Sequence, residues 1–146
     1  MSDEFRHRTR VEVRFRDLDA FGHVNNAVVS SYVELARVRY LVDVLGVDPV
    51  GRMPLILAMI KIDYLSPIFF NDEVNIASRV DWLGNSSIAM SHLAQGGDGR
   101  DLARSSSVLV TYDYAQARPM PVPDDWRGLI GAHEGRRSLE RPQADA

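Results

Sequence analysis

The residues best suited to chemistry lie in one short run, from Asp17 to Asn26, which reads Asp-Leu-Asp-Ala-Phe-Gly-His-Val-Asn-Asn. Asp, Gly and Asn at these positions predict a tight turn. The turn leads into a long apolar segment that is typical of a helix, and the first N–H groups of a helix are unpaired and partly positive. Such a helix start holds an anion or polarises a carbonyl, and a carboxylate just upstream supplies a base or a nucleophile. The run therefore indicates chemistry on a carbonyl compound.

A strand is predicted immediately before this run. Residues Thr9 to Asp17 alternate between apolar and charged side chains, with Val11, Val13 and Phe15 on one face. Alternation with a period of two is typical of a half-buried strand.

A long helix is predicted immediately after the run, from Ala27 to Leu45, and Gly46 is a natural residue to end it. Either Asn25 or Asn26 can cap its first turn. Its polar residues form one narrow stripe, Asn26, Ser30, Glu34 and Arg37. Most of the remaining circumference is Val, Tyr, Leu and Ala, and a helix with so narrow a polar face is normally enclosed by other structure.

Four more strands are predicted beyond Pro54, where alternation resumes and continues to about Tyr114. The residues predicted to face one side of the sheet are Ile56, Ala58, Ile60, Ile62 and Tyr64, then Val74, Ile76, Ser78, Val80 and Trp82, then Ile88, Met90, His92 and Ala94. The run Gly96 to Gly99 is a hairpin signal, and short turns favour antiparallel pairing. An early strand, a buried helix and four more strands indicate an α+β fold whose five-stranded antiparallel sheet curls around one long central helix.

The chain is predicted to be a single domain over residues 1–131, followed by a polar C-terminal tail over residues 132–146. Its 146 residues, 45% of them hydrophobic, suffice for one buried core. Pro119, Pro121 and Pro123 predict an extended segment, and Asp124 can cap one or two helical turns that reach Ile130.

Composition excludes several classes of function. The net charge of −3 and the lack of a basic run argue against nucleic acid and anionic membranes as partners. With no cysteine there is no disulfide, thiolate metal site or cysteine nucleophile, and the four histidines show no metal-ligand spacing. No metal or other cofactor is therefore expected. No apolar leader or membrane span is found, so a cytoplasmic location is expected.

The predicted architecture and its motifs resemble one known family, the hotdog-fold acyl-CoA thioesterases, and within it the branch similar to 4-hydroxybenzoyl-CoA thioesterase. The longest motif consists of Arg16, Asp17, Asp19, Gly22, His23, Val24, Asn25 and Asn26, followed by Tyr32, Glu34, Ala36 and Arg37. Shorter matches are Ile62 to Pro67 with Asn71 to Val74, and Gly84 to Ser87. The similarity runs from about Val11 to Pro123.

The resemblance implies a set of site residues. The family's catalytic carboxylate falls on Asp19, and the backbone N–H that polarises the thioester carbonyl falls on or beside Asn26. The substrate-binding positions are Gly22, His23, Val24 and Asn25, with Ser87 contributed by a neighbouring subunit. The resemblance also implies an acyl-CoA substrate and a homodimer or homotetramer with the site at the subunit interface.

Two positions depart from the family pattern. Val29 stands where the family often has Tyr, three residues after the second Asn, and this affects the shape of the acyl pocket. Asn85 stands where a basic residue often follows the glycine of the third motif. The residues that hold the CoA phosphates are consequently unassigned.

Each candidate also has a plain structural interpretation. Asp19 could be an ordinary turn residue before a helix. His23 could orient Asp19 or the acyl group, or simply pack in the turn. Glu34 is the second-candidate carboxylate, although pairing with Arg37 or Arg39 on the same helix is the simpler interpretation.

Asp17 is expected to make a turn or an ion pair, Tyr32 to belong to the core, and a strand serine such as Ser87 often has no function. Whether Asp19 attacks directly or deprotonates water is open at this point. Two other functions also stay open: an acyl-carrier-protein thioesterase, and a non-catalytic acyl-CoA-binding hotdog protein. A hotdog hydratase is disfavoured, because its spacing of Asp and His is not found.

Overall fold

The computed structural model describes residues 5–136 and 139–143. Its helices and strands are, in chain order, β1 His7–Val11, α1 Asn26–Tyr40, β2 Leu55–Tyr64, β3 Val74–Leu83, β4 Ser87–Gly96, β5 Asp101–Asp113, β6 Arg118–Pro119 and α2 Asp124–Glu134. The five long strands form one antiparallel sheet in the order β1-β3-β4-β5-β2, and the short β6 pairs with β5. The sheet packs around α1, so the predicted hotdog fold is confirmed.

The first strand is shorter than predicted. It ends at Val11, and the chain then makes a single 3₁₀ turn over Phe15–Asp17. The carboxylate of Asp17 accepts a hydrogen bond from the backbone N–H of Arg14, 3.0 Å away. That N–H is therefore unavailable to a strand partner, and the chain turns toward α1 instead of continuing along the sheet.

The predicted central helix is confirmed over nearly all of its length. It begins at Asn26, runs as an α-helix to Tyr40 and continues as one π-helical turn over Leu41–Leu45. Gly46 ends it with a φ of 69°, a left-handed conformation that glycine adopts without strain.

The inner face of the sheet carries two apolar clusters beneath α1. One includes Val29 and Ala36 of the helix with Ile76 of β3, and the other includes Tyr40 with Met90 of β4. The predicted alternation is confirmed for most of β3 and β4.

Alternation was predicted wrongly at two β-bulges, at Ala58 in β2 and at Asp81 in β3. Each bulge inserts one unpaired residue and so reverses which face the following residues occupy. In consequence Leu83 is buried instead of Trp82.

The C-terminal helix is longer than predicted, extending to Glu134, three residues beyond the predicted domain boundary at 131. Glu134 is buried and accepts hydrogen bonds from the hydroxyl of Tyr40 (2.6 Å) and the backbone N–H of Val80 (2.9 Å). These bonds join α2 to the central helix and to β3. Leu139 is also buried, while residues 137–138 and 144–146 of the predicted tail lie outside the described residues.

No helix in the described part of the chain is long and apolar enough to cross a membrane.

Candidate active site

The motif loop is held by its own backbone. Leu18 and Val24 form an antiparallel bridge, and between them the N–H of Gly22 donates to the carbonyl of Asp19 (3.0 Å). Gly22 has a φ of 85°, in the left-handed region that side-chain-bearing residues rarely adopt. The turn presents Asp19 and His23 on adjacent sides of a narrow hairpin, since the N–H of Asp19 donates to the carbonyl of His23 (3.0 Å).

Asp17 anchors this loop to the fold. Its side chain is 2% exposed and accepts hydrogen bonds from the hydroxyl of Tyr32 and the backbone N–H of Arg14. Burial alone would raise the pKa of the Asp17 carboxyl, but the bonds from Tyr32 and Arg14 outweigh it and hold the pKa below its usual range. The carbonyl of Asp17 also accepts from the N–H of Asn25 (3.0 Å), which ties the anchor to the start of α1. The structure thus supports the turn and ion-pair interpretation, with Arg14 as the partner.

All but one of the backbone N–H groups in the first turn of α1 already donate a hydrogen bond within the described residues. The side chain of Asn25 caps the N–H of Ala27 (2.8 Å), and the carbonyl of Asn25 accepts from the N–H groups of Val28 and Val29. Among the described residues, the N–H of Asn26 has no acceptor. The carbonyl of Asn26, which belongs to the next peptide group, accepts from the hydroxyl of Tyr64 (3.0 Å), and this bond ties the first helical residue to β2. One helix-terminal donor is therefore available for a ligand.

Asn26, the residue that carries the available donor, lines a cavity of about 350 Å³. The lining residues are His23, Val24, Asn26, Val29, Tyr64, Leu65, Ser66, Pro67, Ile68 and Leu102. Three of the predicted site residues, His23, Val24 and Asn26, are thus brought together. The N–H of Val24 donates to the carbonyl of Ile68 (2.8 Å), so the motif loop and the segment after β2 form the walls jointly.

Asp19 lies beside this cavity and is not among the residues that line it. Its side chain is half-buried, and Oδ1 accepts a hydrogen bond from the N–H of Phe21 (2.9 Å) within the same turn. Oδ1 of Asp19 therefore acts as an ordinary turn acceptor, as the structural interpretation expects. The catalytic role of Asp19 stays a prediction.

His23 has a defined ring orientation. Its Nδ1 lies 3.3 Å from the carbonyl of Val24 and, because a carbonyl can only accept, Nδ1 must be the donor. In the neutral ring the lone pair is then on Nε2. The ring stacks on Phe21, with centroids 6.1 Å apart, so both structural and functional interpretations of His23 stay open.

The other candidates lie outside the cavity in a single chain. Gly22 and Asn25 shape the loop and cap the helix, and Glu34 is exposed two turns along α1. The charge of Glu34 acts on Arg37, in agreement with the simpler interpretation of that pair. Ser87 lies at the far end of the sheet: it is level with Val110 and Ile56, whereas the cavity is level with Ala103 and Tyr64.

Sequence analysis did not identify Tyr64 as a site residue. It was assigned to the apolar face of a strand, and its hydroxyl reaches Asn26, 38 positions earlier in the chain. The signal available was its place in the short motif from Ile62 to Pro67, which also supplies Ser66 and Pro67 to the cavity wall.

No group of three or more His, Asp or Glu side chains in the described ranges is arranged to hold a metal ion.

Comparison with known proteins gives a consistent set of relatives. The model of the thioesterase-like superfamily matches residues 13–130. A thioesterase from Thermus thermophilus, solved in complex with coenzyme A and Zn, is 44% identical, with a TM-score of 0.83 over 93% of this chain and 99% of that one.

Two further relatives are more distant. The uncharacterized protein YsmA of Bacillus subtilis (strain 168) is 27% identical over 101 residues, 69% of each chain. The chloroplastic acyl-acyl carrier protein thioesterase ATL3 of Arabidopsis thaliana is 25% identical over 124 residues, which cover 83% of this chain and 65% of the plant protein.

Proposed function

Because the chain belongs to the thioesterase-like superfamily, we propose that it hydrolyses acyl-CoA thioesters to a free acid and CoA. The observation that carries the proposal is the N–H of Asn26, which has no acceptor among the described residues and belongs to a residue that lines a mainly apolar cavity. The Thermus relative, which was solved with coenzyme A, supports CoA as the carrier.

The role of Asn26 is to stabilise charge on the thioester oxygen. Attack on the carbonyl carbon moves negative charge onto this oxygen, and a fixed N–H donor at a helix N-terminus favours that charge. One such donor is worth roughly 3–4 kcal/mol of barrier. Tyr64 ties the same residue to β2 through a hydrogen bond to its carbonyl.

Asp19 supplies the attack. It either adds to the acyl carbon itself, forming an anhydride that water then opens, or deprotonates a water that adds directly. In both routes one water is consumed, the carbon–sulfur bond breaks, the acyl group leaves as the free acid, and a proton goes to the sulfur of CoA. Gly22, His23, Val24 and Asn25 shape the pocket around the reacting group.

The active form is a homodimer or homotetramer in which β2 forms the interface between subunits. This ten-residue strand is at the sheet edge and pairs on one side only within the described chain. Leu57, Met59 and Ile60 are each more than a third exposed. A long apolar edge strand is normally covered by another chain, which favours pairing of β2 with its copy.

This pairing also gives Ser87 a role. Antiparallel pairing of two β2 strands about a two-fold axis places the Ile56 end of one beside the Tyr64 end of the other. Ser87 of the partner subunit then lies three strand spacings from the cavity, about 14 Å. That separation suits contact with the carrier end of a long thioester substrate.

An acyl-carrier-protein thioesterase is the second candidate. Two observations favour this candidate. Arg14 and Arg16 are exposed beside the motif loop, and the chain is similar to the plant acyl-acyl carrier protein thioesterase. Positive charge at the mouth of the site suits an acidic carrier protein, although it equally suits the phosphates of CoA. Comparing kcat/KM for one acyl group on the two carriers separates them: a roughly hundredfold preference for the carrier protein would replace the CoA proposal.

Thiol release from a panel of short-chain, long-chain and aryl acyl-CoAs tests the proposal itself. The expected result is catalysed release of free CoA from at least one member of the panel. A protein that binds acyl-CoA and releases no thiol from any member of the panel, or from the same acyl groups on carrier protein, would be a binding module and the proposal would be wrong.

A further inference from the structure

A row of polar side chains crosses the inner face of the sheet beneath the central helix. His7, Ser78, His92 and Ser105 occupy directly paired positions on β1, β3, β4 and β5, and the next position in the row is Ile62 on β2. All four polar residues are buried, at 7% exposure or less. The row separates the two apolar clusters of the core, so it interrupts what would otherwise be one continuous hydrophobic interior.

Arg37 of α1 joins this row from above. It is 5% exposed and lies in sequence between Ala36, a member of the first apolar cluster, and Tyr40, a member of the second. Its charge acts on His92, and burial, Arg37 and His7 together lower the pKa of His92 to about 3. The imidazole of His92 is therefore neutral, and it lies beside the buried guanidinium of Arg37.

The row has unused hydrogen-bonding groups. Five buried atoms in the row or beside it have no partner among the described residues: His7 Nδ1, Arg37 Nη1, His92 Nε2, Ser105 Oγ and, two residues further along β5, Ser107 Oγ. Nδ1 of His92 is bonded to Ser78 Oγ at 2.8 Å, so Nε2 can carry the ring proton. A buried guanidinium needs an acceptor, and Glu34, the acid whose charge acts on Arg37, is exposed. The unused groups of Arg37, His92 and the two serines can all donate, and together they fit an acceptor with several lone pairs, which describes a carboxylate.

The row is next to the cavity at the start of α1. On the sheet, Ser105 is two residues from Ala103, the partner of Tyr64, which is a step of about 7 Å. On the helix, Arg37 lies eleven positions after Asn26, close to three full turns, so both residues project from nearly the same face and are about 16 Å apart along the axis. A helical side chain leans toward the N-terminus of its helix, which shortens the gap.

We infer that this row recognises the far end of the acyl group, and that the preferred substrates carry a second carboxylate there. The inference rests on the proposed function, because the thioester carbonyl is placed at the N–H of Asn26. The chain of such a dicarboxylic acyl group runs from Asn26 along the inner face of β2, past Tyr64 and Ile62, and its carboxylate meets Arg37 with Ser105 and Ser107. This assigns a substrate class to a pocket whose acyl preference the motifs leave undefined.

Matched thioesters test the assignment. Adipyl-CoA and hexanoyl-CoA share one chain length and differ in the terminal carboxylate, as do suberyl-CoA and octanoyl-CoA. For the wild type we expect kcat/KM to favour the carboxylated member of at least one pair by about tenfold or more, since a site built for hydrogen bonding discriminates strongly against a partner that lacks the group. Arg37→Met should abolish or reverse this ratio. Arg39 on the same helix is exposed and provides the charge-matched control, and Arg39→Met should leave the ratio unchanged.

A second variant and a second measurement distinguish loss of carboxylate recognition from loss of folding in Arg37→Met. Ser105→Ala with Ser107→Ala keeps the charge and should reduce the ratio in part. Free adipate should raise the Tm of the wild type and of Arg39→Met, and should have no effect on Arg37→Met. The inference is wrong if the wild type favours the uncharged chain in both pairs, or if Arg37→Met keeps the wild-type ratio. If no acyl-CoA is hydrolysed, the proposed function fails, and the adipate-dependent Tm shift alone then decides for or against the carboxylate site.

Discussion

At the scale of single residues, the motif loop divides its work between two aspartates. Asp17 is buried, and the bonds from Tyr32 and Arg14 keep its carboxylate in a structural role. Asp19 is half-buried beside the cavity, and its carboxylate accepts a bond from Phe21 in its own turn. The difference in burial and partners explains why Asp19 is the one proposed to react.

Replacement of Asp19 by Asn tests that division. The amide can still accept the bond from Phe21, so the turn should persist, but it can neither attack nor deprotonate water. We expect kcat for thioester hydrolysis to fall about 10²–10⁴-fold with KM changed much less. Asp48 accepts the same kind of turn bond, from Val50 at 3.0 Å, in an exposed loop, so Asp48→Asn is the matched control and should be fully active. Equal activity of the two variants in a thiol-release assay would remove Asp19 from the mechanism.

At the scale of elements, the loop and the helix start are shaped by backbone conformation. Gly22 has space for a Cβ atom, with nothing within 4 Å of that position, so only its positive φ disfavours other residues. Gly128 in α2 also has open space around it but lies within a helix.

These two glycines make a matched pair. Gly22→Ala should lower the free energy of unfolding by about 1–2 kcal/mol, because an L-residue is strained in the left-handed region. Gly128→Ala should raise it by about 0.5–1 kcal/mol, because alanine is the better helix former. Urea denaturation of both variants measures the difference, and a Gly22→Ala protein as stable as the wild type would show that the turn does not need this conformation.

The periodic elements were predictable from sequence, and the exceptions have local causes. The central helix and the alternation on β3 and β4 follow from spacing alone. The bulge at Ala58 and the early end of β1 depend on strand register and on the contact between Asp17 and Arg14, which no periodic pattern contains. The same holds for the site. The family resemblance indicated a backbone N–H on or beside Asn26 in advance, whereas the hydroxyl of Tyr64 reaches Asn26 from a distant strand through tertiary packing.

The polar row beneath α1 makes stability depend on pH. Burial first, then the charge of Arg37 and the neighbouring His7, lower the pKa of His92 to about 3, from an ordinary 6.5. The unfolded chain therefore binds a proton that the folded chain does not, so stability falls as pH is lowered from 6.5 toward 3. The groups that face His92 from the other elements are the guanidinium of Arg37 on α1, the imidazole of His7 on β1, and the neutral side chains of Ser78 and Ser105.

His92→Gln isolates this effect, because glutamine does not titrate. Between about pH 6.5 and 4.5 the wild type should lose up to about 1.4 kcal/mol of unfolding free energy per pH unit relative to the variant. Urea unfolding at a series of pH values measures both profiles. Parallel profiles over this range would show that His92 becomes protonated in the folded protein.

At the scale of the whole molecule, the two edges of the sheet differ: one is covered and the other is open. The β1 edge contacts α1, whereas the ten-residue β2 edge is apolar and unpaired within the described chain. Pairing through β2 would both cover this strand and bring a second copy to the rim of the cavity.

Met59→Arg tests this assembly without touching the cavity. Met59 is 45% exposed on β2, and a new charge there should oppose close approach of two copies. By size-exclusion chromatography with light scattering, the wild type should be a dimer or tetramer and Met59→Arg a monomer with reduced activity. Leu129→Arg, at an equally exposed position on α2, is the control and should keep the wild-type assembly. A monomeric wild type with full activity would contradict the proposed interface.

The most direct test of the account concerns a single N–H. Proline is accepted at the first position of a helix, and Asn25 already has φ −59° and ψ 137°, which suit a residue before proline. Asn26→Pro therefore removes the proposed donor and keeps both the helix and the carbonyl that binds Tyr64, whereas Asn26→Ala keeps the N–H and removes only the side chain. In single-turnover thiol release, we expect Asn26→Ala to stay within a few-fold of the wild type and Asn26→Pro to fall about 10²–10³-fold. A folded Asn26→Pro protein that hydrolyses thioesters as fast as Asn26→Ala would contradict the account.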